Sequence, residues 1–222
     1  MSPVKSRREQ YSDATKAALV EAATRRFAEH GYAGTALDDV AADLQATRGA
    51  VYHHFASKAA LFHAVFDELE SGMIRQVLAA GAREPDRRAA ARAALDAFLD
   101  HCCDPVYGRV VWQEAPLALG WQVWKAAEEQ YAYGLIEQTI SGLIAAGDLP
   151  PLPLEPFART VFHLFGAAGL AIADAPRADK AQVKEEYAEV LGRMLDGMRG
   201  GDPAGVHEAS PADGGRDGAT ES

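Results

Sequence analysis

The sequence predicts an all-α chain of about nine helices. A compact N-terminal three-helix head is joined by a long helix to a C-terminal helical bundle. Three observations carry this. Nearly every segment between glycine and proline breakers repeats its apolar residues at i, i+3, i+4 and i+7, the spacing of one helix face. No stretch keeps the alternation of a half-buried strand for long. Three short helical segments, separated by loops of a few residues, precede a much longer one.

Taken in order, residues 1–11 read as a flexible basic arm. Ser12 or Asp13 is placed to cap a first helix that runs to His30, with Leu19, Ala23 and Phe27 inward and Gly31 closing it. Thr35 with Asp38 resembles a capping box opening a helix over 36–44, with Leu37, Val40, Ala41 and Leu44 inward. Gln45 and Ala46 form a turn. Thr47 caps a third helix ending near His54, and Ser57 caps a long fourth with Phe62, Val65, Phe66, Leu69 and Met73 in its stripe. Behind it, helical segments are expected near 86–103, 106–117, 121–146, 155–174 and 180–199. Pro116 and Gly120 should kink or break the second of these, and "AGDLPPLPLEP" is a rigid connector. From Gly200 the chain is rich in Gly, Pro and Asp and is expected to be disordered. The chain thus divides into the arm 1–11, a head 12–56, a body 57–199 and a tail 200–222.

The 222 residues are 48% hydrophobic and 24% charged, near the globular average. No apolar leader follows the start, and the run "VFHLFGAAGLAIA" is too short to span a bilayer, so a cytoplasmic chain with no membrane partner is expected. The adjacent Cys102 and Cys103 suit a reduced compartment as inert buried thiols. The net charge of −10 divides unevenly: residues 1–60 carry +1, which leaves −11 for the rest. Such a balance opposes non-specific affinity for nucleic acid but permits a local basic face in the head.

The stretch "TRGAVYHHF" supplies that face. Wound as a helix, Arg48, Gly49, Tyr52 and His53 gather on one side, while Ala50, Val51, His54 and Phe55 gather on the other. Eight residues make a helix about 12 Å long, matching a B-DNA major groove about 12 Å wide. Gly49 costs a helix about 1 kcal/mol against alanine, a cost that makes sense where a side chain would hold the backbone off a phosphate or base edge. Arg48 can fork onto guanine; Thr47 and the first-turn amides suit phosphate oxygens; Tyr52 and His53 can donate to phosphates beyond.

The stretch "GYAGTALDDVAADLQATRGAVYHHFASKAALFHAV", residues 31–65, resembles the helix-turn-helix head of the TetR family of bacterial transcriptional regulators. The resemblance implies an all-helical homodimer whose paired heads bind double-stranded DNA at a palindromic operator. It implies DNA contact at Thr35, Thr47, Arg48, Gly49, Tyr52, His53 and Lys58. In the turn between its second and third helices the family commonly has glycine where this chain has Gln45, so a left-handed residue or a reshaped turn is expected there.

In the body, Phe157, Val161, Leu164, Phe165, Ala168 and Ile172 stripe one helix, and Val183, Tyr187, Val190, Leu191, Met194 and Met198 stripe the last. Two wide apolar faces at the chain end suit a homodimer through the last two helices. Trp112, Trp121 and Trp124 fall within thirteen residues, with Glu114 among them and Tyr131 beyond. Aromatic walls around one carboxylate suit a small-molecule effector that is flat or cationic. The expected effector residues are Trp112, Glu114, Trp121, Tyr131 and His163, with a packed aromatic core as the alternative. No catalytic serine, phosphate loop or metal-ligand spacing is present, and "HCCD" is too tightly wound for one metal. The expectation is therefore a ligand-responsive DNA-binding regulator, most simply a repressor, with no cofactor and no enzyme activity. The alternative is a helical scaffold that keeps a vestigial DNA-binding head.

Overall fold

The structure, a computed structural model, describes residues 6–198, with the backbone alone at Arg8. The tail expected from Gly200 and the first five residues of the arm lie outside them. The described residues form nine helices and no strand: α1 Arg7–His30, α2 Leu37–Asp43, α3 Arg48–His54, α4 Lys58–Gly81, α5 Arg87–Cys103, α6 105–118, α7 121–146, α8 Leu154–Asp174 and α9 Lys180–Gly197.

Helix α1 begins at Arg7, so residues 7–11 belong to a helix and not to an arm. The cause is a capping box. Ser6 accepts from the Glu9 N–H at 3.3 Å, and the Glu9 carboxylate accepts from the Ser6 N–H at 2.7 Å. The cap of α2 also moves. Its N-cap is Ala36, whose N–H donates to the Asp39 carboxylate at 3.1 Å. Thr47 and Ser57 cap α3 and α4 as expected, accepting from Ala50 and Ala60 at 3.2 and 3.1 Å.

Gln45 takes the left-handed conformation, with φ of 52°. The turn between α2 and α3 thus holds a non-glycine residue in the left-handed region at the expense of local strain, and α3 packs against α2. Phe27 on α1, Tyr32 just beyond it and Phe62 on α4 lock α1 to α4, with Phe27 and Phe62 edge to face at 4.9 Å and Tyr32 and Phe62 at 5.2 Å.

The head and body share one apolar core. It runs from Leu19 and Val51 through Phe62 and Phe66 to Leu99, Trp112 and Ile172. Helices α6 and α7 are both locally unwound to π-helix, over Gly108–Glu114 and Glu129–Tyr133. Pro116 explains the first: it cannot donate back to the preceding turn, which opens to a wider spacing. The helix ends at Ala118, and Gly120 (φ 83°) starts the next, so the expected break occurs. Helix α8 is long and apolar enough to cross a membrane; one of its faces packs against α5, α6, α7 and α9 and the other is exposed in the single chain.

Candidate DNA-contacting face and ligand cavity

Helix α3 buries Val51 against the head core, with Phe55 buried just beyond its end, and turns Arg48, Gly49, Tyr52 and His53 to solvent. Arg48 lies over the Tyr52 ring at 5.2 Å and holds Asp38 of α2 at 3.3 Å. A Cβ on Gly49 would meet only the Thr47 hydroxyl oxygen, at 3.9 Å. Nothing inside the chain thus requires glycine here, and the backbone of the first turn lies bare on the outer surface. Lys58 and Tyr52 border a shallow hollow with Gly34, Asp38 and Ser57. The Lys58 ammonium donates to the Tyr32 carbonyl at 2.7 Å and sits 4.3 Å from the Tyr32 ring, which leaves it two further donors.

Thr35 corrects the expectation. It is only 2% exposed, and its hydroxyl donates to the Gly31 carbonyl at 2.9 Å. A buried hydroxyl closing the end of α1 cannot reach a phosphate, so Thr35 is structural.

In the body, a cavity of about 680 Å³ opens between α4, α5, α7, α8 and α9. That volume falls within the range of drug-sized sites, about 300–1,000 Å³. Its wall is largely apolar, with Phe98, Trp112, Trp124, Phe162 and Leu191 in it and Trp121 and His163 at its exposed margin. Trp112 lies flat on Gly169 of α8, where any Cβ would collide with its indole. Trp124 bridges the other two indoles, 5.8 Å from Trp112 and 4.9 Å from Trp121.

Two of the five expected effector residues lie elsewhere. The Glu114 carboxylate faces the head. It accepts from the Tyr32 N–H at 2.8 Å, pairs with Arg109 at 2.7 Å and fills the space where a Gly31 Cβ would stand, 2.8 Å away. Gly31, at φ of 72°, is glycine for both reasons. Tyr131 donates to Asp67 on α4 at 2.9 Å and packs edge-on to Phe66. It joins α7 to α4 outside the cavity.

Residues 88–198 match the family described as "Tetracyclin repressor-like, C-terminal domain", and residues 19–65 match "Bacterial regulatory proteins, tetR family". The chain belongs to the TetR family. A crystallised TetR-family transcriptional regulator from Pectobacterium atrosepticum superposes with a TM-score of 0.74 at 26% identity, over 88% of this chain and 98% of that one. The transposon Tn10 TetC protein of Escherichia coli is 25% identical over 145 residues, 65% of this chain and 73% of its own. A probable acrEF/envCD operon repressor of Escherichia coli K12 is 38% identical over 64 residues, covering 29% of this chain and 28% of that protein. The protein is thus a DNA-binding transcriptional regulator, and its relatives are regulators.

Within this TetR-family body the carboxylate facing the cavity is Glu128, which the sequence did not single out. It is 7% exposed, and its Oε1 has no hydrogen-bond partner. Burial pushes its carboxyl well above the ordinary range, and the neighbouring charge of Glu70 adds to the push. Glu70 itself is fully buried on α4. It accepts from the Tyr107 hydroxyl at 2.7 Å, and burial pushes it up to about 7. A glutamate one turn beyond Trp124 was the only available signal, since i and i+4 share a helix face.

Proposed function

We propose that the protein is a repressor that binds a palindromic operator as a homodimer in the cytoplasm and is released by a small aromatic or cationic effector. One observation carries the ligand response: α6 touches both sites. Trp112 walls the cavity, and Glu114, two residues on, holds the backbone N–H of Tyr32 in the head. The carbonyl of the same Tyr32 receives Lys58, the expected phosphate contact. A ligand that displaces Trp112 must move α6, and through Glu114 the base of the head. In the dimer two recognition helices must lie about 34–36 Å apart to enter successive major grooves. Any body conformation with another spacing loses one of the two heads, so a ligand favouring that conformation lowers operator affinity by population shift. Repression rather than activation is supported by the relative named as an operon repressor. The DNA contacts are assigned to Thr47, Arg48, Gly49, Tyr52, His53 and Lys58, with Arg48 reading bases and the others positioning the backbone.

Fluorescence anisotropy on duplexes tiling the DNA upstream of the protein's own gene tests this reading. A nanomolar-class site should weaken by roughly 10³-fold or more between 50 and 200 mM salt, as six or more phosphate contacts require. On that site Arg48→Ala should relax the preference at one base step per half-site. Lys58→Ala should weaken all sequences alike and lower the salt slope by about 1. Uniformly weak binding to every duplex, including genomic fragments selected for binding, would overturn the repressor reading in favour of a scaffold.

A further inference from the structure

The ligand-released reading leaves the chemistry of the effector open, and the polar groups at the cavity narrow it. Glu128 is the one carboxylate among the cavity-lining residues. The Trp124 indole N–H lies near that carboxyl and favours its ionised form, yet neither it nor Oε1 completes a hydrogen bond. An acidic oxygen has thus been taken out of water in an apolar pocket without a partner. Such a group costs stability unless something else satisfies it. Phe98, Trp112, Trp124 and Phe162 line the same cavity, and the negative quadrupole of a ring face attracts cations and repels anions. The basic groups bordering the cavity, Lys125, Arg87 and His163, are half-exposed or exposed.

We propose that the cavity seats an amphipathic organic cation, with its charge on the Glu128 carboxylate beside Trp124 and its apolar body between α4, α5 and α8. This rests on the cavity being the effector site and names the class of effector it takes. An anion is disfavoured because the lining offers it a carboxyl group and aromatic rings but no buried basic group. A neutral apolar ligand would leave the orphaned oxygen unsatisfied.

The seat has a protonic consequence. Glu128 is faced by Glu70 from α4, Cys102 from α5 and Tyr107 from α6, with Lys125 beside it on α7 and His163 across the cavity on α8. Cys102 and Tyr107 stay neutral, because burial pushes both far up. Burial and the charge of Glu70 both favour the acid form of Glu128. A permanent cation binds the carboxylate, so one proton leaves to solvent as it enters. Affinity must rise with pH while the acid form dominates, by up to about tenfold per unit.

Tetraphenylphosphonium and tetraphenylborate, matched in shape and opposite in charge, make the test. Quenching of tryptophan fluorescence and titration calorimetry on the DNA-free protein should show the phosphonium binding at least tenfold more tightly than the borate. Its affinity should increase from pH 5.5 to 7.5, with proton uptake by the buffer. Glu128→Gln copies the shape of the protonated acid, so it should fold, as circular dichroism would report, and lose both the preference and the pH dependence. Equal or tighter binding of the borate, absence of phosphonium binding, or a Glu128→Gln protein that binds the phosphonium unchanged would each overturn the seat. Adding the operator separates the two readings. Phosphonium that binds at Glu128 without weakening operator affinity leaves the seat standing and removes the ligand-released repressor.

Discussion

Glu70 shows how one side chain can set the acid–base behaviour of the whole body. It is buried among apolar neighbours on α4, its Oε2 is unpaired, and its carboxyl is pushed up to about 7. Below about pH 4.5 folded and unfolded chains both hold the proton. Between 4.5 and 7 only the folded chain holds it, so stability declines as pH rises through this window and then levels off. Glu70→Gln keeps the acceptor for the Tyr107 hydroxyl and has no proton to lose. The variant should therefore lack this decline and be more stable than the parent at pH 8, by at most about 3 kcal/mol for a shift of this size. Urea titrations at pH 5, 6, 7 and 8 measure the difference; parallel pH profiles for the two proteins would show that Glu70 ionises freely in the folded state. The same scale explains what the sequence concealed. The exposure of Thr47, Arg48, Gly49, Tyr52 and His53 was legible because a short helix exposes whatever its apolar side does not use. Thr35 was not, because a threonine hydroxyl satisfying the carbonyls of a helix end looks the same in sequence as one awaiting a phosphate.

At the scale of the element, α6 is where pattern reading met its limit. Pro116, Gly120 and the tryptophan cluster foretold a broken helix beside a cavity, and both are present. The error lay in assigning the carboxylate. Trp112 and Glu114 are two residues apart, and residues at i and i+2 point to opposite sides of a helix whether its turns are α or π. Trp112 ends up on the cavity side and Glu114 on the head side. That division makes α6 a lever, and it can be tested without any ligand. Glu114→Ala leaves the Tyr32 N–H unsatisfied and frees the head from α6, which costs about 1–2 kcal/mol of orientation. Operator affinity should fall by roughly 5–30-fold, while the salt slope stays at the parent value because no phosphate contact is lost. Amide exchange at Tyr32 should quicken in the same variant. A fall in salt slope like that of Lys58→Ala would instead place Glu114 in the DNA-binding surface.

Across the whole molecule, the distribution of charge and apolar surface suits the proposed homodimer. The acidic balance lies behind the first sixty residues. It repels DNA from the body and leaves the heads as the route to affinity. A single seven-residue recognition helix cannot supply a nanomolar site by itself, so the second head has to be tethered at a fixed distance. The proposed tether is the face of α8 and α9 where Leu170, Val190 and Met194 remain 42–56% exposed in the single chain, Leu170 and Met194 also bordering the cavity and Val190 lying outside it. Apolar side chains left in water along two neighbouring helices are what an isologous four-helix contact covers. Val190→Asp places a charge at the centre of that contact and touches neither the cavity nor the head core. Light scattering should then report a monomer at micromolar concentration with an unchanged helical spectrum. Operator affinity should drop by about 10²-fold or more as the effective concentration of the second head is lost. Binding to an isolated half-site should stay as it was. If Val190→Asp remained dimeric and kept full operator affinity, the tether would lie on some other face, and the spacing argument would have to be rebuilt from there.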